Sequence, residues 1–305
     1  MAKKYLHFLF TIILILVLKT GFCSHVPGGY ITYECLGNNH YVVSLILFEN
    51  CGTAFINNNV RSIQVNGVDQ SLPIISYQEE ISQLCPSLIS QSNCNGGSYE
   101  GYFKHVWQDT IEILTNGATL SYGSCCRNAS TNLIGTSNDF RFETIIGPNS
   151  NCNSSPTIEA LPIPSFCINQ PASYSLNTVD NDGDTLKYSF YHPKTSQNTG
   201  VPFVSTYTAQ APIPGIEIDS TSGLILFTPS QVGKFDLAVL IEEYNNGLVG
   251  SMVYDFQMLI VNNASCASNS APITSYNTNQ NSIISNIQGE AFINNNEISI
   301  CAGES

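Results

Sequence analysis

Charge is scarce in this sequence. Only 11% of the residues are Asp, Glu, Lys or Arg, and ten of the 305 are basic, where average soluble domains carry roughly 25% charged residues. So few cations exclude nucleic acid and anionic lipid as partners, since both are bound largely through Lys and Arg. No nucleotide is expected as a ligand either. Helices are disfavoured for a related reason: their exposed faces are usually filled with Glu, Lys and Arg, and no stretch here keeps a 3.6-residue apolar period over three turns. C-x-x-C pairs are absent and only five histidines occur, which removes the common zinc spacings.

Neutral polarity takes the place of charge. Asn, Ser, Thr, Gly and Tyr are abundant, a composition that suits pleated strands joined by Asn/Gly/Ser turns. Lys3 and Lys4 precede an apolar run from Tyr5 to Leu18, followed by Gly21, Phe22, Cys23 and Ser24. This is the layout of a secretory signal peptide over residues 1–23, too short for a transmembrane anchor. Its removal takes away Lys3, Lys4 and Lys19 and no acid, so the net charge moves from −13 to −16. The expected location is secreted or at a cell surface, with divalent cations as counter-ions and any membrane contact made through an anchor outside this chain.

Ten cysteines remain after Cys23 leaves, an even number that reads as a disulfide framework in an exported protein. The candidates are Cys35, Cys51, Cys85, Cys94, Cys125, Cys126, Cys152 and Cys167, with Cys266 and Cys301 beyond them. Cys85 and Cys94 are expected to close a local loop. The vicinal Cys125 and Cys126 are expected to bridge to different neighbours, because adjacent cysteines rarely bond each other without strained geometry.

Short β-branched and aromatic runs fill residues 24–150, among them "YITYECL", "YVVSLILF" and "FRFETIIG". After the polar stretch Asn149 to Pro156 a second set fills 155–262, including "TLKYSFY", "GLILFTP" and "VGSMVYDFQMLIV". Runs of this length separated by turn residues predict an all-β protein of two tandem immunoglobulin-like β-sandwich modules with disulfides. The first is Cys-rich. Residues 263–289 read as a flexible Ser/Asn-rich linker, and 290–305 as the start of a further, incomplete module.

Several strings taken together resemble the N-terminal region of large surface proteins of Bacteroidetes, the family whose members often end in a gliding-motility-associated C-terminal domain used for type IX secretion. They are "PGGYITYECLGNNHYVV", Cys51-Gly52, Cys85 and Cys94 ahead of "HVWQDTIEIL", "CCRNAS", "SSPTIEALPIPSFCINQP" and "VDNDGDTLKYSF". The second module is also similar to cadherin-like or dystroglycan-type immunoglobulin domains, through "DNDGDTLKYSF", "IDSTSGLILFTPSQVGKFDLAVLIEEYNNG" and "YDFQMLIV". The resemblance implies a non-catalytic adhesin or structural protein that meets an extracellular protein or polysaccharide surface. The alternative is a carbohydrate-binding accessory region of a polysaccharide-degrading enzyme whose catalytic domain is not in this chain.

One loop has the chemistry of a metal site. Asp180, Asp182 and Asp184 alternate with Asn181 and Gly183, and alternate acids in a Gly-containing loop converge oxygen ligands on a hard cation such as calcium. Glu242 is the expected fourth ligand, approaching with Glu243 from a later strand end. An EF-hand is excluded, because Thr185 and Tyr191 stand where its glycine and bidentate glutamate belong. No enzyme is expected: His105 and His192 lack a glycine-flanked serine nearby, and the adjacent acids of Glu79-Glu80 or Glu242-Glu243 diverge on a strand. Tyr99, Tyr102, Phe103 and Trp107 read as sandwich packing before they read as a sugar-binding face.

Overall fold

The computed structural model describes residues 26–52, 56–84, 86–114, 116–135, 139–148 and 152–262, and the backbone of two short strands at 291–294 and 297–300. The expected signal peptide, the linker at 263–289, Cys85, Cys266 and Cys301 lie outside the described residues. The chain is all-β. Its strands are β1 Gly29–Gly37, β2 His40–Asn50, β3 Arg61–Val65, β4 Val68–Leu72, β5 Ile74–Glu80, β6 Tyr102–Glu112, β7 Ala118–Ser124 and β8 Phe140–Ile146. They continue with β9 Thr157–Ile158, β10 Ser165–Cys167, β11 Ala172–Ser175, β12 Thr178–Val179, β13 Thr185–Tyr191, β14 Glu217–Ile218, β15 Leu224–Phe227, β16 Gly233–Tyr244 and β17 Leu248–Val261. A final hairpin, β18 Ala291–Asn294 and β19 Glu297–Ile300, falls within the stretch expected to open a further module. Two short 3-10 turns, Pro86–Gln91 and Asn93–Asn95, are the described helical elements.

Turn chemistry sets the hairpins. Asn66 and Gly67 both hold positive φ between Val65 and Val68, which are paired, so β3 and β4 are joined by the two-residue loop that a type I′ turn demands. Asn38 and Asn39 do the same between β1 and β2. Residues Tyr102–Glu112, which alternate in the sequence, form one strand paired with β2 along its whole length.

One hydrogen-bonded path runs β4-β3-β7-β8-β17-β1-β2-β6-β5, and β16 and β13 extend it from β17. Strand β17 is its spine. One edge is taken by β16 from Gly233↔Ile260 to Tyr244↔Leu248. The other edge is shared along its length by β8 at Gly250 to Met252, β1 at Asp255, and β10, in parallel, at Leu259 to Val261. The ladder therefore crosses the polar boundary at 149–156, since β1 and β8 precede it and β17 follows. Gly28 permits the crossing, since a Cβ there would overlap the Asp255 carbonyl of β17, and Gly29 permits the close approach of β2, where a Cβ would overlap the Ile46 carbonyl.

Two apolar clusters lie against this sheet. One is drawn from residues 26–146 and includes Ile31, Leu45, Trp107, Phe140 and Phe142. The other holds Tyr174, Ile225, Phe235, Leu237, Tyr254 and Phe256, and it also takes in Ile46, Phe48 and Tyr102 from the first half. Each large side chain buried in them contributes about 1.5–3 kcal/mol relative to exposure. Trp107 and Tyr102 are core residues and Tyr99 is exposed, so no aromatic face is assembled from that group.

The middle of the β16–β17 pair is buried on both faces, and its second face is polar. Asp236 stands opposite Gln257, and Ala238 opposite Asp255. A strap from Cys125 to Asn132, between β7 and β8, covers this face. Arg127, wholly buried, donates from Nη1 to Asp255 Oδ1 at 2.5 Å and from Nη2 to Asp255 Oδ2 at 2.8 Å, with Asp236 Oδ1 at 3.3 Å from Nη1. Asn128 donates to Gln257 Oε1, and Asn132 both accepts from the Asp236 backbone N–H and donates to its carbonyl. The strap is also laced to the N-terminal segment: Val26 donates its N–H to Cys126 and accepts that of Asn128.

The disulfides differ from the expected pairing. Cys94 bonds Cys51, Cα atoms 4.8 Å apart, and Cys35 bonds Cys152 at 5.2 Å. Cys125 and Cys126 bond each other rather than separate neighbours. The strand β7 stops at Ser124 and Cys126 takes positive φ, so the side chains do not diverge as they would on a continuing strand. Cys167 is disulfide-bonded as well.

Two expectations follow. Arg127→Met should cost about 3–5 kcal/mol, because it strands two buried carboxylates without their cation. Urea unfolding of the variant checks this, and a loss below about 1 kcal/mol would mean the cluster is peripheral. Two acids share one guanidinium, so burial, with Asp255 nearby, pushes the Asp236 carboxyl up to about 6 despite Arg127. A raised carboxyl stabilises the fold below its unfolded pKa, and that contribution is lost as pH rises through about 6. Measured against Asp236→Asn, the wild type should therefore lose stability between about pH 4 and about pH 7; a constant gap between the two would contradict the assignment.

Candidate metal centre

The turn from β12 to β13 carries the alternating acids. Asp180 folds the loop on itself: its Oδ1 accepts the backbone N–H of both Asp182 and Asp184 at 3.0 Å, and Gly183 supplies the positive φ that the turn requires. That leaves Asp180 Oδ2 buried and without a hydrogen-bond donor. Asp184 accepts the Asn245 side-chain amide at 2.8 Å through Oδ1.

Across from this loop lies the end of β16. Carboxylate oxygens of Asp180, Asp184 and Glu243 come within 4.8 Å of one another. Glu243, not Glu242, completes the group. Alternation decides which: Phe235, Leu237, Val239 and Ile241 lie on one face of β16, and Glu243 continues that parity while Glu242 points away. Asp182 is drawn aside as well, since its Oδ2 accepts the Ser154 backbone N–H at 2.6 Å. Of the four expected ligands, then, Asp180 and Asp184 converge, Asp182 and Glu242 do not, and Glu243 is added.

Glu243 is fully buried, and Asn153 donates to its Oε2 at 2.6 Å. Its Oε1 has no donor. Burial, then the three neighbouring aspartates, push this carboxyl up to about 8, with the Asn153 bond opposing. Two buried carboxylate oxygens without donors, in an all-oxygen set of short span, make a group that could hold a hard divalent cation. A buried unpaired carboxylate is otherwise costly.

The centre is tied to the first half of the chain. Asn153 also donates to Tyr33 Oη at 2.9 Å, Ser155 exchanges hydrogen bonds with the Tyr33 backbone, and Cys152 is bonded to Cys35 of β1. Residues 152–155 thus form a bracket between β1 and the acidic loop.

The histidines have other surroundings. His105 Nε2 lies 2.8 Å from Glu49 Oε2, both wholly buried beside Trp107, and His192 Nε2 meets the Val201 carbonyl at 2.9 Å. Compared with protein-family models, curated proteins and solved structures, the chain finds no match.

Proposed function

We propose that the chain is a non-catalytic, exported surface protein of the kind its sequence resembles, presenting a disulfide-bonded β unit to an extracellular protein or polysaccharide surface. In this reading the two cores are two immunoglobulin-like modules merged through β17, and calcium held by Asp180, Asp184 and Glu243 stiffens the bracket between them. The observation that carries the reading is the buried, donor-less Oε1 of Glu243 facing two aspartates. Polarity with few cations, the ten cysteines that follow Cys23 and a leader-like N-terminus support the extracellular setting.

Calcium that binds only the folded chain should raise its melting temperature by mass action, by roughly 5 °C or more at about 100-fold excess over Kd. Glu243→Gln and Asp180→Asn should abolish the rise, whereas Asp182→Ala and Glu242→Ala should keep it. Equal melting in calcium and in chelator would remove calcium from the account. The display role is checked separately, by retention of the mature protein on insoluble polysaccharides and on plates coated with extracellular proteins. Release of sugar fragments from the polysaccharides would contradict the non-catalytic reading, and failure to be retained on any surface would contradict display.

A further inference from the structure

Three side chains of complementary chemistry meet at one oxygen. Asn50 ends β2, Glu100 precedes β6 and Lys234 stands near the start of β16, so the group spans both halves of the chain. Asn50 Nδ2 donates to Glu100 Oε1 at 2.6 Å, and Lys234 Nζ contacts the same oxygen. At its other end the Asn50 carboxamide accepts the Gly52 backbone N–H on Oδ1 at 3.0 Å. Asn50 is 4% exposed, and about two-thirds of each of the Lys234 and Glu100 side chains is covered. An ion pair accounts for Lys234 and Glu100 alone. It does not account for a buried carboxamide whose nitrogen is held on the same carboxylate oxygen as the amine and whose oxygen is held by a backbone donor.

We propose that Lys234 and Asn50 become joined by an intramolecular isopeptide bond, formed by the folded chain itself with Glu100 as the proton-transfer group. Each contact has a role in that reaction. Glu100 takes a proton from the Lys234 ammonium, freeing the Nζ lone pair to attack Asn50 Cγ. The Gly52 N–H stabilises the negative charge that develops on Oδ1. Glu100 then hands its proton to Nδ2, and the Cγ–Nδ2 bond breaks as the Nζ–Cγ bond is completed. The second proton shed by Nζ leaves with the ammonia as ammonium. One ammonium is consumed and one released, the carboxylate returns unchanged, and no oxidant or cofactor is required. Holding the reactants in one fold replaces a bimolecular encounter with an intramolecular one, which accelerates an otherwise very slow amide exchange.

The product would be a covalent tie between β2 and β16, on the two sides of the polar boundary. Unlike the disulfide Cys35–Cys152, it would survive reduction. It rests on neither calcium nor the identity of the displayed ligand.

Mass spectrometry of the purified, reduced wild-type chain tests the proposal. The chain should be lighter by one ammonia than its own N-terminus and sequence require, and proteolysis should yield a branched peptide joining the Asn50 and Lys234 segments. Lys234→Arg and Glu100→Gln should each restore the full mass while circular dichroism still reports a β fold. A folded wild type of full mass, or an ammonia loss mapped to any other residue, would overturn the proposal. A Glu100→Gln chain that remains crosslinked would overturn the assignment of Glu100. The wild-type measurement decides the matter even if a variant fails to fold.

Discussion

The guanidinium of Arg127 is the group on which the arrangement of this chain most depends. It sits wholly buried against Asp255 of β17 and Asp236 of β16, and its backbone neighbours bind the N-terminal segment at Val26. Removing two carboxylates from water costs several kcal/mol apiece unless a cation meets them with good geometry. The bidentate contact to Asp255 supplies that geometry, and Gln257, Asn128 and Asn132 bond the carboxamides and the Asp236 groups around it, while Arg127 Nε stays buried without an acceptor. Strand β17 can be buried on both faces because its polar residues Asp255 and Gln257 find partners in this cluster. Strands β1, β8, β10 and β16 all pair with β17, so both cores depend on it.

Much of the architecture was legible in the amino-acid order. The β-branched and aromatic runs became strands, and Asn66-Gly67 a two-residue hairpin turn, because period-2 alternation and positive φ are local properties. Position 243 was legible in principle: the alternation from Phe235 to Ile241 assigns Glu243 to the inner face and Glu242 to the outer. Expecting Glu242 to reach the aspartates overlooked that parity. The role of Arg127 had no local signal. In "CCRNAS" it reads as one surface arginine among polar residues, and its partners lie more than a hundred residues away in sequence. Cysteine pairing was undetermined for the same reason. Cys51, just after β2, and Cys94, in the turn ahead of β6, are brought together by the β2–β6 pairing, not by proximity along the chain.

The acidic loop and the boundary between the halves form one piece of chemistry. Residues 152–155 leave the first half through a disulfide to β1, and at once place Asn153 on Glu243 and the Ser154 N–H on Asp182. A cation held by Asp180, Asp184 and Glu243 would tighten the segment that a two-module reading treats as a linker. Such a cation would act on the coupling of the two cores more than on either core.

The central claim is that two cores hung on one shared strand behave as one folding unit. Differential scanning calorimetry of the purified chain, with disulfides intact, measures this most directly. The account predicts a single transition whose calorimetric and van't Hoff enthalpies agree. Two resolved transitions, or a calorimetric enthalpy about twice the van't Hoff value, would mean that the halves melt independently and that β17 and Arg127 do not couple them.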